Sequence, residues 1–236
     1  MSLTNRQVTI LFEVISAYVE AAEPVSSGEI ARRGVDASPA TIRAELAALE
    51  AQGYLVQPHT SAGRAPTPAA YELYVEHIQQ QAARIAAERV ERFARLIAEV
   101  AADVRLAGHA IARALASEAR QAVVVGIAHG DAYATGLSYV VVQPEFHDRE
   151  TLYAFTAGFD DLDNTIAVID AQLTGDAAAI LGDGNPFGGQ CGTVAGHLAL
   201  PEGHRLTIGI AGPMRMAYDR QFELLRDIRY AAMGIV

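Results

Sequence analysis

The sequence contains a single cysteine, Cys191, and neither lysine nor tryptophan among its 236 residues. One cysteine excludes an internal disulfide framework and suits a reducing compartment, so we expect a cytoplasmic protein. No uncharged apolar run reaches the roughly 18 residues that a membrane-spanning helix needs. The first ten residues also lack the basic start and apolar stretch of a signal peptide. We therefore expect no association with a membrane.

Basic residues are scarce relative to acidic ones. The chain has 18 arginines against 28 acidic residues, which gives a formal net charge of −10. This balance argues against a protein that coats nucleic acid by bulk electrostatics, although it leaves room for a local basic surface. Hydrophobic residues make up 51% of the chain, so a sizeable core is expected, in one large domain or two ordinary ones.

No constellation of residues indicates catalysis or a bound cofactor. The seven histidines are scattered, with no pair at metal-ligand spacing, and no serine occupies a nucleophile elbow. The glycine-rich segment 181–192 follows no nucleotide-binding pattern, which favours a flexible connection. Asp160, Asp161 and Asp163 favour a helix start or a solvated turn over a cation site. We expect a protein without enzymatic activity, metal or cofactor.

Ordered boundary signals near the N-terminus predict three successive helices. Residues 4–22 carry apolar side chains at helical spacing, and Thr4 can cap this helix. Ser26, with a glutamate three residues on, predicts the start of a short second helix. Ser38 followed by proline predicts the start of a third helix, and Gly53 stands just past its end.

A segment with unusual composition follows the third predicted helix. PHTSAGRAPTP, residues 58–68, cannot be a helix interior, because its prolines remove donors and fix φ. It is also too rich in glycine and small polar residues for a core strand. A short strand precedes it, and Thr67 with Pro68 opens a further helix. Three helices are thus followed by a strand, a loop and a chain that turns back into a further helix. This order predicts a winged helix-turn-helix over residues 1–80, with the loop as the wing.

The third predicted helix has two unlike faces. Ile42, Leu46 and Leu49 share one stripe and should pack inward. The opposite face consists of alanines flanked by Thr41 and Arg43. Such a face permits close approach to a DNA groove, where Arg43 can reach a phosphate or a guanine. The alternative is that alanine is simply the best helix former on a wet face.

Further DNA contacts are predicted at the start of this helix and in the wing. The hydroxyls of Ser38, Thr60 and Ser61 suit phosphate oxygens. Arg64, at the tip of the predicted wing, could enter a minor groove or hold the backbone, with a solvated arginine as the alternative. His59 could donate to a phosphate or stabilise the turn. The predicted DNA-binding set is Ser38, Ala40, Thr41, Arg43, Ala44, His59, Thr60, Ser61 and Arg64.

Two features of the sequence predict a dimer: the excess of acidic residues near the N-terminus and an apolar stripe further along the chain. Residues 1–77 hold five arginines and nine acidic residues, so useful affinity for DNA should require two copies acting together. Residues 86–117 predict one long helix. Its apolar residues alternate spacings of three and four, as in a coiled-coil seam, but a helix laid on a sheet explains them equally well. The predicted seam is Val90, Phe93, Ile97, Val100 and Val104.

The segment SPATIRAELAALEAQGYLVQPHTSAGRAPT, residues 38–67, resembles the signature of HrcA-type heat-inducible transcription repressors, which regulate chaperone operons in bacteria. TGLSYVVVQPEFHDRETLYAF (135–155) and LTIGIAGPMRMAYDR (206–220) resemble later segments of the same family. The resemblance implies a dimer that binds an inverted repeat in double-stranded DNA, a GAF-like domain with an inserted dimerisation domain, and activity linked to a chaperonin. Two departures stand out: Ala44 replaces a common asparagine, and the insertion is hard to find between residues 118 and 135.

The second half predicts strands flanked by helices. The strand candidates are residues 121–128, 137–143, 192–200 and 206–212, and a closing amphipathic helix follows them. The predicted fold class is α+β, with a mixed sheet of GAF-like character. The predicted domains are a winged helix at 1–80, a long helix and linker at 81–117, and a GAF-like regulatory domain at 118–236.

Three functions are compatible with these patterns. The first is a sequence-specific repressor of heat-shock and chaperone genes. The second is a ligand-responsive transcriptional regulator that senses a small molecule through the GAF-like domain. The third is a protein-interaction module whose winged helix no longer binds DNA.

Overall fold

A computed structural model describes residues 3–59, 62–80, 86–100, 103–127, 130–200 and 203–234. The chain divides into two units, residues 1–80 and 81–236. Within the described ranges, no helix combines the length and the apolar character required to cross a bilayer.

Helices surrounding a small hairpin form the described part of the first unit. Its elements are α1 (Asn5–Ala21), α2 (Ser27–Arg32), α3 (Pro39–Ala51), β1 (Leu55–Val56), β2 (Ala65–Pro66) and α4 (Pro68–Gln80). The two strands pair in antiparallel register, with Leu55 opposite Pro66 and Val56 opposite Ala65. The predicted winged helix-turn-helix is therefore present.

Hydroxyl side chains begin the first three helices, as the sequence predicted. The hydroxyl oxygens of Thr4, Ser26 and Ser38 each accept a hydrogen bond from the backbone N–H three residues further on, which satisfies a donor that the helix itself leaves free. Gly34 and Gly53 follow α2 and α3 with φ of +88° and +81°, a conformation that favours glycine. The core that these helices enclose includes Ile10, Leu11, Val14, Ile15, Ile30, Ile42, Leu46, Leu49, Leu55, Tyr71 and Val75.

A five-stranded sheet organises the second unit. Its strands are β3 (Ala122–Ile127), β4 (Asp131–Thr135), β5 (Ala177–Leu181), β6 (Cys191–Ala199) and β7 (Arg205–Pro213), in the order β4-β3-β7-β6-β5. All four pairings are antiparallel, so the predicted mixed sheet is wrong. The reason lies in the connections: hairpins join most neighbours in the sheet, and the long crossover from β4 to β5 runs between opposite edges.

Helices cover both faces of this sheet. They are α5 (Ala87–Val100), α6 (Val104–Ala119), α7 (Leu137–Val140), α8 (Arg149–Asp160), α9 (Leu162–Gln172) and α10 (Tyr218–Ala232). Every residue of β3 is buried. Val124 packs in a cluster with Phe155 of α8 and Ile169 of α9, whereas Val125 and Ile127 lie on the side of α6. The predicted α+β class is confirmed.

The segment between residues 86 and 117 differs from the single long helix that the sequence predicted. It forms two helices, because the carboxylate of Asp103 caps α6 by accepting hydrogen bonds from the N–H groups of Arg105 and Leu106 at 2.9 and 3.2 Å. Both helices belong to the second unit. Arg89 of α5 donates to Asp227 of α10 at 2.5 Å, and α5 packs against α6 and α10.

The side chains of the predicted dimer seam lie largely inside this unit. Val90, Phe93 and Ile97 are only 1%, 3% and 5% exposed, while Val100 and Val104 are half-buried. The alternative interpretation, a helix laid on a sheet, describes α6, which packs against β3, β4 and β7. The partners of α5, which carries most of the stripe, are instead the helices α6 and α10.

Residues 137–143 form a helical turn instead of the predicted strand. Gly136, with φ of +81°, turns the chain after β4, and a Cβ there would lie 2.4 Å from the carbonyl oxygen of Gln121. Val140 is fully buried and Val142 is 73% exposed, a spacing that follows helical rather than alternating periodicity. The β-branched composition of the segment is overridden by this packing.

The connection from β5 to β6 is ordered rather than flexible. Asn185, which is buried, donates to the carbonyl oxygens of Ile180 and Cys191 at 2.8 and 3.2 Å. Its own side-chain oxygen accepts from the N–H of Phe187 at 2.9 Å. One buried amide therefore fixes the glycine-rich segment.

Candidate DNA interface

The third helix presents one buried face and one exposed face. Ile42, Leu46 and Leu49 are at most 4% exposed, as their spacing predicted. The outer face of α3, as we call it below, consists of exposed residues at successive helical turns: Ala40, Arg43, Ala44, Ala47 and Ala51. Thr41 beside them is half-buried. Short side chains leave the helix backbone accessible to a partner of matching shape.

Arg43 differs from the other arginines of the first unit in having no partner among the residues that the structure describes there. Arg33 pairs with Glu20 at 2.5 Å, and this contact lowers the pKa of the Glu20 carboxyl. Arg64 also forms an ion pair, and Arg6 lies 3.9 Å from Glu45. The Nε of Arg32 donates to a backbone carbonyl. Arg43 is therefore the cation on the outer face that is free to bind an external acceptor.

Hydroxyl groups stand at the start of α3. The Ser38 oxygen accepts from the Thr41 N–H at 3.1 Å and lies 2.8 Å from the Thr41 hydroxyl. Ser38 is exposed, so its hydroxyl and the first N–H groups of the helix are accessible to an anion. Thr60 and Ser61, also predicted to contact DNA, lie outside the described residues.

The wing connects β1 to β2. At its tip, the N–H of Ala62 donates to the carbonyl of His59 at 2.8 Å, and the Gln57 side chain donates to the Ala62 carbonyl at 2.9 Å. The His59 residue is exposed, and its backbone carbonyl closes the turn.

Arg64 lies at the base of the wing rather than at its tip, which corrects the sequence prediction. Its backbone forms a two-way antiparallel bridge with Val25, with both N–O distances 2.8 Å. Its Nε donates to the Glu50 carboxylate at 2.8 Å. Because the chain has already turned back towards β2 at this point, the side chain points to the last turn of α3.

Gly63 makes this close approach possible. A Cβ at Gly63 would lie 2.3 Å from the carbonyl oxygen of Val25 and 2.6 Å from that of Pro24. Any side chain would therefore push the wing away from the segment that precedes α2.

The start of α2, the middle of α3 and the wing enclose an open cleft of about 320 Å³. Two guanidinium groups and two serine residues contribute to its walls. The lining residues are Val25, Ser26, Ser27, Arg43, Leu46, Gln57, Ala62, Gly63 and Arg64. The described residues contain no group of histidine, cysteine and acidic side chains that could hold a metal ion.

The spacing of apolar residues in α3 predicts its exposed face, whereas no pattern in the sequence indicates the partners of the wing. Glu50 and Val25 carry no motif of their own, since their importance depends on where the wing returns. A glycine directly before an arginine, between prolines, was the available signal for a close backbone approach at Gly63.

A capped helix with a free outer face, set beside a two-stranded wing, defines the first unit as a winged helix-turn-helix, a class of DNA-binding domain. A family model described as the winged helix-turn-helix transcription repressor, HrcA DNA-binding, matches residues 2–81. The model of the HrcA protein C-terminal domain matches residues 68–221. The chain belongs to the HrcA family of heat-inducible transcription repressors.

Individual relatives support the same assignment. The heat-inducible transcription repressor HrcA of Geobacter sulfurreducens is 42% identical over 116 residues, which are 49% of this chain and 34% of the relative. That of Desulforudis audaxviator is 31% identical over 194 residues, covering 74% of this chain and 55% of the relative. The chain therefore spans about half or less of the length of these curated relatives.

One solved structure shares the fold over its full length. The crystal structure of a hypothetical protein covers 99% of both chains with a TM-score of 0.72 at 15% sequence identity. At this identity, the likeness shows the fold alone.

Proposed function

We propose that this protein is a transcriptional repressor that binds double-stranded DNA with the outer face of α3 in the major groove and the wing alongside. The observation that carries the proposal is the outer face itself: alanines that permit close approach, around an arginine with no partner among the described residues of the first unit. Alanine methyls can contact thymine methyls, and Arg43 can bind a guanine edge or a phosphate. Of the predicted contact residues, Ala40 and Ala44 belong to this face, Thr41 lies beside it, and Ser38 is exposed at the N-terminus of the helix.

The proposed target is an inverted repeat ahead of heat-shock and chaperone genes. Family membership supports this target, because the relatives are named as heat-inducible transcription repressors. The acidic balance of the first unit supports binding by two copies, since one copy supplies few phosphate contacts. Two helices reading two half-sites would match the symmetry of such a repeat. This binding would take place in the cytoplasm, where the bacterial chromosome lies.

Genomic fragments retained by the purified protein test the target. We expect sequencing of these fragments to reveal an inverted repeat upstream of chaperone genes. Fragments without a shared repeat would contradict the proposal.

Substitution of Arg43 tests the contact surface. Arg43→Ala should weaken binding to the recovered repeat by about 1–3 kcal/mol if the guanidinium contacts a base, as measured by a fluorescence titration. Arg105→Ala is the matched control, because it removes an exposed arginine from the second unit and should leave affinity unchanged. Equal affinities of the Arg43 variant and the control would remove Arg43 from the interface.

A chaperonin is the second proposed partner, and family membership is its support. We expect added chaperonin to raise the fraction of duplex bound at a fixed repressor concentration. An unchanged fraction would count against this partner.

A further inference from the structure

Arg64 connects the base of the wing to two other parts of the first unit. Its backbone N–H and carbonyl both bond to Val25 at 2.8 Å, directly before the Ser26 cap of α2. Gly63 allows this contact because a Cβ would collide with the Val25 carbonyl. The backbone therefore holds the base of the wing against the start of α2.

The side chain of Arg64 provides a second attachment, to α3. Its Nε donates to the Glu50 carboxylate at 2.8 Å, and the two side chains are 20% and 34% exposed. Glu50 lies in the last turn of α3, one residue before Ala51 at the end of the outer face. The ion pair thus joins the wing directly to the helix that carries the outer face.

This geometry does not suit a direct contact between Arg64 and DNA. The side chain is directed to α3 from the base of the wing, and its charge is already compensated by Glu50. An arginine that neutralises a phosphate must instead present an uncompensated charge to the duplex.

We propose that Arg64 is a positioning residue, whose ion pair with Glu50 fixes the base of the wing relative to the outer face of α3 so that both fit the duplex together. The inference rests on the proposed DNA binding. It also assigns a function to Glu50, an acidic side chain in a DNA-binding domain.

Removal of Glu50 gives the sharpest test, because two effects predict opposite signs. Glu50→Ala removes a negative charge, so electrostatics alone would tighten binding to DNA. Loss of the ion pair would instead weaken it, by roughly tenfold if the coupling is of the size found within other ion-pair networks. Alanine is a good helix former at this site in the last turn of α3.

The matched control is Glu76→Ala on α4, which removes the same charge from an exposed side chain of the same unit. We expect Glu76→Ala to bind the inverted repeat at least as tightly as the unmodified protein. Arg64→Ala should weaken binding at least as much as Glu50→Ala does, because it also removes a positive charge, and the double variant should be no weaker than Arg64→Ala.

The salt dependence of binding separates positioning from direct contact. Loss of a phosphate contact makes the slope of log affinity against log salt shallower by about 0.9. We expect Arg64→Ala to retain the slope of the unmodified protein. The exchanged pair Arg64→Glu with Glu50→Arg should recover most of the affinity, whereas a direct phosphate contact by Arg64 would make that exchange the weakest binder.

Three outcomes would overturn the inference. Tighter binding by Glu50→Ala, or a shallower salt slope for Arg64→Ala, would refute positioning while leaving DNA binding intact. Absence of binding by the unmodified protein would refute the proposed function and the inference with it.

Discussion

At the scale of single residues, Cys191 shows how burial controls chemistry in the second unit. The residue is fully buried at the start of β6. Burial, with a smaller contribution from the charge of Glu145, raises the pKa of the thiol to about 12. Because the thiolate is the reactive species, the folded protein should not react with a thiol reagent at pH 8.

The measurement is the rate of labelling in the folded and the urea-unfolded protein. We expect one thiol to react promptly only after unfolding, and fast labelling of the folded chain would contradict the burial. The same shift predicts a pH effect. Above about pH 9 the unfolded chain loses a proton that the folded chain keeps, so the free energy of unfolding should fall as the pH rises towards 12.

Sequence could predict residues whose function is local, but not those whose partner is distant. Thr4, Ser26 and Ser38 cap helices that begin at the next residue, so the sequence alone identified them. The partner of Arg64 is Glu50, 14 residues away, and only the return of the wing brings the two together. The sequence therefore predicted correctly that Arg64 belongs to the wing, but it predicted the tip of the wing, whereas Arg64 lies at the base.

At the scale of elements, the start of α3 combines a structural and a proposed binding function in Ser38. Ser38→Ala should lower the free energy of unfolding by about 1 kcal/mol, because the cap is lost. Ser38→Asp should retain stability, since aspartate caps equally well and suits the helix N-terminus. An aspartate would nevertheless repel a phosphate bound there.

We expect the two variants to rank in opposite orders for stability and for affinity to DNA. Chemical unfolding should rank Ser38→Asp above Ser38→Ala, while titration with the inverted repeat should rank it below. If the more stable variant also binds DNA more tightly, no phosphate lies at the start of α3.

The strands of the second unit show which elements a sequence pattern reveals. The central strands β3, β6 and β7 were predicted because they are buried on both faces and rich in apolar residues. The edge strands β4 and β5 were missed, because DAYAT and AAAIL lack a strong strand signal. Their pairing is imposed by neighbours: β4 by the hairpin with β3, and β5 by the hairpin with β6.

At the scale of the whole molecule, two distant segments that resemble the repressor family meet in the second unit. Arg215, in the segment 206–220, forms an ion pair with Glu145, in the segment 135–155. It also donates to Gln143 at 3.3 Å. Their resemblance to the family therefore corresponds to a shared structural contact, which no local pattern could predict.

The structure also explains why an inserted domain is hard to find between residues 118 and 135. β3 and β4 form a hairpin in which Ile127 pairs with Asp131, so only residues 128–130 join them. The apolar stripe of α5 is buried within the second unit, so these side chains do not form an exposed seam for a second copy.

The central claim is that the outer face of α3 lies against duplex DNA, and a tethered cleavage reagent tests it most directly. Because Cys191 is buried, Ala51→Cys provides a single reactive thiol at the end of that face, to which an iron chelate that generates hydroxyl radicals can be attached. Glu76→Cys on α4, which packs against α1 and β2, is the control position. We expect two clusters of cuts in the inverted repeat from the Ala51 probe, about one helical turn or a multiple of it apart. Cutting from the Ala51 probe no stronger than from the Glu76 probe would contradict it.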